Sequence, residues 1–587
     1  MLRLLFTQLF DSARARQDKA RRASAADLDR ARALHSRGDI EGARVECEGI
    51  LSRDASHAAA HALLGALYGE QGDLESAHRH FTAAIHHAPE LADAHLGLGN
   101  VHRLRGDPVA AAGEYRRALA ANPDAAAVHL SLGQALRAQG ETAAALAAFE
   151  RALELDPLLK DAAVEAIRCK VELGHLDQAL ALAGAALKRA PEVGDLHAAL
   201  GFVHQKMHDA PEALKCYLAA RSLGHEDAEL HNNMGIVHQD LGRLQEALAH
   251  YERALALQPD FPLARFHRGL ARLLMGDFAN GWPDYETRLM SEDLPRRSFV
   301  RPRWEGLGLA GRTLLVHGEQ GLGDEIMFAS CLPDVMAVAG HCVIECSPKL
   351  EGIFRRSFPG ALVYAATPER VPANVPAAGH IDFEIPSGSL PLYLRRSIAD
   401  FPPHQGYLKP DPRRVDAWRE RLGRLGPELK VGISWAGGSY RSRAPLRSIA
   451  LDKWLPIVAT SGVRCVSLQY GSAAGALEAA VARGLPPVEH WQEAIDDYEE
   501  TAALVCALDL VISVQTAVVH LTGALGRPAW VMVSGSPEWR YGFAGSTMPW
   551  YPSVRLFRQP SLGDWEPVIE TVAHNLRSLV EQPGPRS

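Results

Sequence analysis

This chain of 587 residues is short of several things that would classify it quickly. It has only eight cysteines, and they are scattered. The closest pair, Cys342 and Cys346, falls on a probable strand without metal-site spacing, so neither a disulfide scaffold nor a zinc module is indicated. Reduced thiols in a cytoplasmic protein are the expectation. Basic residues are not in surplus: Lys and Arg number 62 against 70 Asp and Glu, a net charge of −8. With no basic face in the sequence, nucleic acid is an unsuitable main partner. No apolar run reaches membrane-spanning length. The opening stretch is cut by Gln8 and lacks the long apolar core of a secretion signal. Residues 1–23 read as a leader helix capping the helical array that begins at residue 24, with a membrane-surface amphipathic helix as the alternative. A chain of this length is expected to form two or three domains.

What the chain does have is a period of 34 residues, free of insertions, between Gly65 and Tyr285. Glycine recurs at Gly65, Gly99, Gly133, Gly201, Gly235 and Gly269, and an aromatic at Phe81, Tyr115, Phe149, Tyr217, Tyr251 and Tyr285. A small column runs Ala43, Ala77, Ala111, Ala145, Ala179, Ala213, Ala247 and Gly281, while Pro89, Pro123, Pro157, Pro191 and Pro259 close five units. Such spacing describes helix hairpins whose two helices approach where only Gly or Ala fits, with the aromatic packing on the next unit and proline ending the second helix. The pattern resembles the tetratricopeptide repeat, in eight units over residues 24–295. The first and fifth units are degenerate, with Ala31 and Ile167 in the glycine column, as a capping unit would be. The resemblance implies a groove that holds a protein or peptide partner.

From about Phe299 the period changes. RTLLVH (Arg312–His317) is a β-rich run followed by the glycine-rich GEQGLGDE and a helical stretch, and short strands recur at His341–Cys346 and Ala361–Tyr364. Residues 299–408 read as a small doubly wound α/β domain and 409–429 as a linker with a helix. A second α/β block, 430–580, carries strands at Lys430–Trp435, Val463–Gln469, Leu508–Val514 and Ala529–Val533. Two such domains facing each other would direct their strands' carboxyl ends, and the N-termini of the following helices, into one cleft.

Gly321-Leu322-Gly323-Asp324 after the first strand, Ser434-Trp435 with a basic loop after a middle one, and Thr516-Ala517-Val518-Val519-His520 after a late one resemble the family 9 glycosyltransferases. These are heptosyltransferase-like enzymes of the GT-B fold, with two Rossmann-like domains. The resemblance covers nearly all of Arg312 to about Leu579, with LFRQPSLGDW near the end. It implies that Asp324 is a general base; the residues alone allow an N-cap as well. Gly321 and Gly323 permit close backbone approach. Arg447, with Arg441 and Arg443 in the same loop, would meet a nucleoside diphosphate. The alternative for Arg441 and Arg443 is a solvated loop. Thr516 with the N–H of Ala517 would hold the diphosphate at a helix start, and His520 would border the donor site or simply pack. Gln515 departs from the family, which usually has aspartate there, so either the donor differs or activity is weakened. Ser467 and Gln469 reach the nucleoside or form a turn. Trp539, Arg540 and Trp550 read as core packing that could shape the donor pocket.

The second half has no acidic pair on a strand-end loop that would hold a divalent ion, so metal-independent transfer without a cofactor is expected. The chain thus reads as a cytoplasmic inverting glycosyltransferase using a nucleotide sugar, its acceptor recruited by the repeats. That layout is similar to the O-linked N-acetylglucosamine transferases. The rival reading is a repeat scaffold carrying an inactive transferase domain.

Overall fold

The computed structural model describes residues 24–290, 301–366, 380–437, 444–471 and 473–581. The leader expected at 1–23, the domain boundary expected near 295–299, and Arg441 and Arg443 lie outside them. The chain divides into two compact units, Met1–Glu226 and Asp227–Ser587.

The described part of the first unit is six helix hairpins: 24–36 with Ile40–Arg53, Ala58–Glu70 with Leu74–His87, Ala92–Leu104 with Pro108–Ala121, Ala126–Ala138 with Thr142–Leu155, Lys160–Glu172 with Leu176–Arg189, and Gly194–Lys206 with Ala210–Ser222. Two adjacent residues build each turn. Gly38, Gly72, Gly106, Gly140 and Gly174 have φ between +76° and +80°, left-handed backbone that ends the first helix where a Cβ would be strained. His208 takes that place in the sixth hairpin at φ +62°. In four of the six hairpins the next residue caps the second helix: Asp39, Asp73, Asp107 and Asp209 each accept the backbone N–H three positions on, whereas Glu141 and His175 make no side-chain cap. This Gly-Asp column is distinct from the crossing glycines read in the sequence.

The crossing glycines serve the aromatic column directly. A Cβ on Gly65, Gly99 or Gly201 would lie 2.8, 2.6 or 2.7 Å from the ring of Phe81, Tyr115 or Tyr217, so each ring rests on the glycine of its own hairpin. Phe81 also meets Gly97 of the next hairpin, the contact the sequence led us to expect. Where the glycine is missing, its partner changes too. Ile167 shares a core cluster with Ala183, and Ala31 with Cys47, all fully buried. The fifth hairpin is internal, so its departure from the pattern is an exchange of volume between its helices, not the capping that the sequence suggested.

Two further hairpins, Ala228–Asp240 with Leu244–Leu257 and Pro262–Leu274 with Phe278–Tyr285, belong to the second unit. They are followed by two α/β lobes. The first has β1 (Thr313–His317), β2 (His341–Cys346), β3 (Leu362–Ala365) and β4 (Phe383–Pro386), all parallel in the order β3-β2-β1-β4. The second has β5 (Leu429–Ser434), β6 (Val463–Ser467), β7 (Leu510–Val514), β8 (Ala529–Val533), β9 (Thr547–Met548) and β10 (Tyr551–Arg558), in the order β6-β5-β7-β8-β10-β9. Among these described strands, only β9 is antiparallel in its sheet. The helix Pro412–Gly423 in the expected linker packs on Tyr498–Ala507, where Trp418 Nε1 donates to Glu500 at 2.7 Å.

One core runs from the last hairpins into both lobes. Trp282 meets Trp539 edge-on at 5.4 Å between ring centres and donates its Nε1–H to the Arg395 carbonyl at 2.7 Å. Trp539 also stands against Tyr285 and Phe328, and Trp550 against Phe401 at 4.9 Å. Among the described residues, no helix is long and apolar enough to cross a membrane.

Replacing Gly99 by Ala should push Tyr115 off its seat and cost about 1–3 kcal/mol, read as a lower denaturant midpoint. Ile167→Gly should cost about 2–5 kcal/mol by emptying the same kind of site, and adding Ala183→Phe should recover most of it. Failure of the second change to restore stability would refute the volume exchange.

Candidate functional site

Between the lobes lies a cavity of about 520 Å³, the size of a small-ligand site. Every strand that borders it does so from its carboxyl end. Gly321 to Asp324 follow β1, Lys349 follows β2, Arg447 and Tyr470 follow β5 and β6, Gln515 to His520 follow β7, and Glu538 to Tyr541 follow β8. That is where an open parallel sheet binds its ligands, because helix N-termini with unpaired N–H groups collect there.

Two helices start at the floor. Leu322–Phe328 begins after Gly321, and Ala517–Ala524 begins after Thr516, whose hydroxyl stands 3.1 Å from that of Ser513. The helices touch at Gly323, where a Cβ would come within 3.2 Å of His520 Cδ2 and 3.4 Å of Ala517 Cα. A side chain at position 323 would press the two helices a few tenths of an ångström apart, so Gly323 has a packing duty beyond the close ligand approach read from the sequence.

Charge in the cavity is arranged as an alternating chain. Asp324 is ion-paired with Arg540, whose Nε and Nη2 both donate to Oδ1, the Nε at 2.8 Å. Oδ2 takes no hydrogen bond among the described residues. Arg540 Nη1 lies 3.5 Å from Glu538 Oε2, and Glu538 Oε1 is ion-paired with Arg447. Arg447 also donates its Nε–H to the Gly437 carbonyl at 3.2 Å. Burial works against the charge on Arg540, but the neighbouring carboxylates of Asp324 and Glu538 hold its pKa above the ordinary value. Asp324 is not acting as a side-chain cap for its own helix.

Gln515 is 1% exposed, and its Oε1 accepts the Ser534 N–H at 3.2 Å. Its Nε2 has no partner among the described residues. With the acceptor used internally, the group left to a ligand is a donor, the reverse of what an aspartate would present. Gln469 does not line the cavity. Its Oε1 accepts from Ser434, Trp435 and Ala436 and its Nε2 donates to Ala436 and Tyr470, so it braces the end of β6 against that of β5. Ser467 accepts from the Gln469 N–H at 3.3 Å.

The structure therefore brings Gly321, Gly323, Asp324, Arg447, Gln515, Thr516, Ala517 and His520 together and leaves Gln469 outside. Sequence reasoning missed Glu538 and Lys349, and for Arg540 it preferred core packing to the pocket-shaping role that it also named. The segment GSPEWR carries no periodic or motif signal, and only its position after β8 could have pointed to it.

Family models described as tetratricopeptide repeat match residues 24–48, 62–118, 106–159 and 192–260. The chain carries tetratricopeptide repeats. Protein FlbA of Caulobacter vibrioides is 34% identical over 336 residues, 54% of this chain, and the match spans 56% of that protein's length. Among solved structures, similarity is found to a tetratricopeptide repeat protein from Parabacteroides merdae at 14% identity, covering 43% of this chain and 99% of the other, with a TM-score of 0.36. A thermophilic repeat protein of Thermus thermophilus is 24% identical, covering 31% and 99%, with a TM-score of 0.29.

Two groups on the helices that meet at the cavity floor titrate in opposite directions. Burial pushes Glu325 up to about 7, with Glu345 and Asp324 adding to the rise against a 2.8 Å hydrogen bond from the Ser347 N–H. Its contribution to stability is present at low pH and lost as pH rises through 7. Burial, with Arg540 and Arg447 nearby, pushes His520 down to about 3, so the native ring is neutral where an unfolded histidine begins to charge near 6.5. Its contribution is complete above about 6.5 and is lost as pH falls toward 3, about 2 kcal/mol by pH 5. Between pH 7 and pH 5 this loss runs against a gain of similar size from Glu325, so in His520→Gln, where the loss is removed, the thermal midpoint should rise relative to that of the natural protein as pH falls across that range. Parallel slopes for the two proteins would remove His520 as the cause.

Proposed function

We propose that the second unit is an inverting, metal-independent glycosyltransferase of the GT-B type with two Rossmann-like lobes, moving a sugar from a nucleotide sugar to an acceptor. The observation that carries this reading is that the lobes put a carboxylate, Asp324, and two arginines, Arg447 and Arg540, into one cavity beside the helix start at Thr516. An inverting transfer needs that pairing of opposite functions. The acceptor hydroxyl gives its proton to Asp324 Oδ2 as its oxygen bonds to the anomeric carbon, while the bond from that carbon to the diphosphate oxygen breaks. One displacement inverts the centre. The leaving diphosphate gains charge, which Arg447, Arg540 and the open N–H groups of Ala517 and Val518 would stabilise. His520 is neutral and therefore acts by packing and hydrogen bonding. Arg447 is buried against the cavity wall, which suits a fixed cation better than a mobile loop arginine. The acceptor is a protein or peptide held by the repeats.

Gln515 favours a second reading, a repeat scaffold whose transferase lobes no longer turn over. Its free donor argues for the enzyme, since an amide Nε2–H suits a phosphate or sugar oxygen where a carboxylate would repel it.

A panel of UDP, GDP, ADP, CDP and TDP sugars separates the two. At a hundredfold excess over Kd, a true donor should stabilise the protein by about 2.7 kcal/mol, seen as a raised thermal midpoint. Asp324→Asn should keep that shift and lower turnover by roughly a hundredfold or more. If no nucleotide sugar raises the midpoint, the scaffold reading prevails, and full turnover in Asp324→Asn would dismiss Asp324 as the base.

A further inference from the structure

We propose that Glu538 is an internal substitute for the diphosphate: before a donor arrives it neutralises the two arginines that the donor needs, and the donor binds by displacing it. This rests on the reading of Arg447 and Arg540 as diphosphate ligands. The carboxylate of Glu538 divides its two oxygens between those guanidinium groups, Oε1 to Arg447 and Oε2 to Arg540, as two phosphate oxygens would.

The three groups differ in how firmly they are held. Arg540 has Asp324 on its other side and the Trp539 ring under its guanidinium at 4.8 Å, and Arg447 is tied to the Gly437 carbonyl. Both arginine side chains are at most 15% exposed, whereas that of Glu538 is 31% exposed. Each cation has a partner other than Glu538, and the carboxylate is the member with most access to water. Its backbone neighbours are fixed, Trp539 in the aromatic core and Ser536 by a 3.1 Å hydrogen bond to Asp240, so the change is confined to one side chain.

There is room for it to move. A second cavity of about 230 Å³ lies on the hairpin side, bordered by Gln239, Phe266, Leu270 and Gln320. Arg447, Gln515, Glu538 and Arg540 line both cavities and form the partition between them. With Glu538 withdrawn, Asp324, Lys349, Arg447 and Arg540 leave two net positive charges among the described side chains lining the cavity, and the unpartnered Gln515 Nε2 adds a donor. Glu538 thus sets the affinity for the diphosphate and, after transfer, helps expel it by reclaiming the arginines. It is a positioning residue, acting through Arg447 and Arg540.

The test uses the full chain, titrated calorimetrically with inorganic pyrophosphate and with the nucleotide-sugar panel. Glu538→Gln should bind pyrophosphate at least about tenfold more tightly than the natural protein, equivalent to about 1.4 kcal/mol, and Glu538→Asp should return toward the natural affinity. In turnover, Glu538→Gln should lower KM for the donor and lower kcat together, because product leaves more slowly. A role limited to holding the fold would lower the thermal midpoint without tightening the anion. Unchanged or weaker pyrophosphate binding in Glu538→Gln overturns the proposal, as does tightening that persists when Arg447→Ala is added. Should pyrophosphate tighten while no nucleotide sugar binds, the displacement stands and the glycosyltransferase reading falls. Should nucleotide sugars bind both proteins equally, the reverse holds.

Discussion

The indole of Trp539 is the joint on which the second unit turns. It is buried among Trp282, Tyr285, Phe328 and Trp550, so residues from the last hairpin, the first lobe and the second lobe meet on one side chain. Aromatic contacts of this kind add roughly 0.5–1.5 kcal/mol per pair beyond the area they bury. Fixing Trp539 also fixes its neighbours, and these are Glu538 and Arg540. The hydrophobic core and the charged cavity are therefore two faces of one short segment.

That coupling explains why the last two hairpins belong to the unit with the sheets. Asp240 receives the Ser536 hydroxyl, and the Leu274 carbonyl accepts the Phe543 N–H at 3.0 Å, clamping the segment from both ends. A loop beyond a strand end would otherwise be free to drift, and a charge placed on it would be imprecise by more than an ion pair tolerates. In this unit the hairpins hold the cavity wall in position.

Much of this was legible in the sequence, and the misses share a cause. The 34-residue period located every hairpin because each position repeats under the same packing constraint. Strands β1, β2, β5, β7 and β8 were visible as apolar β-branched runs buried on both sides. Strand β4 was hidden because it is four residues ending in Pro386, and β10 because Pro552 and two arginines interrupt it. At the site, residues just after a strand and at a helix start could be found locally. Glu538 and Arg540 could not, since their partners are more than ninety and two hundred positions away. Gln469 showed the opposite failure, a polar strand-end residue whose hydrogen bonds are all spent on neighbouring backbone and Ser434.

The reversed pair in the fifth hairpin bears on how such arrays diverge. A glycine facing an aromatic and an isoleucine facing an alanine fill comparable space, but no single substitution leads from one to the other without crowding or a void. The two positions are locked in sign epistasis, each change harmful until the other is present. Lineages that crossed that valley would keep the inverted arrangement as a lasting internal marker of one repeat, and families of such arrays could be aligned by it where the surrounding columns have faded.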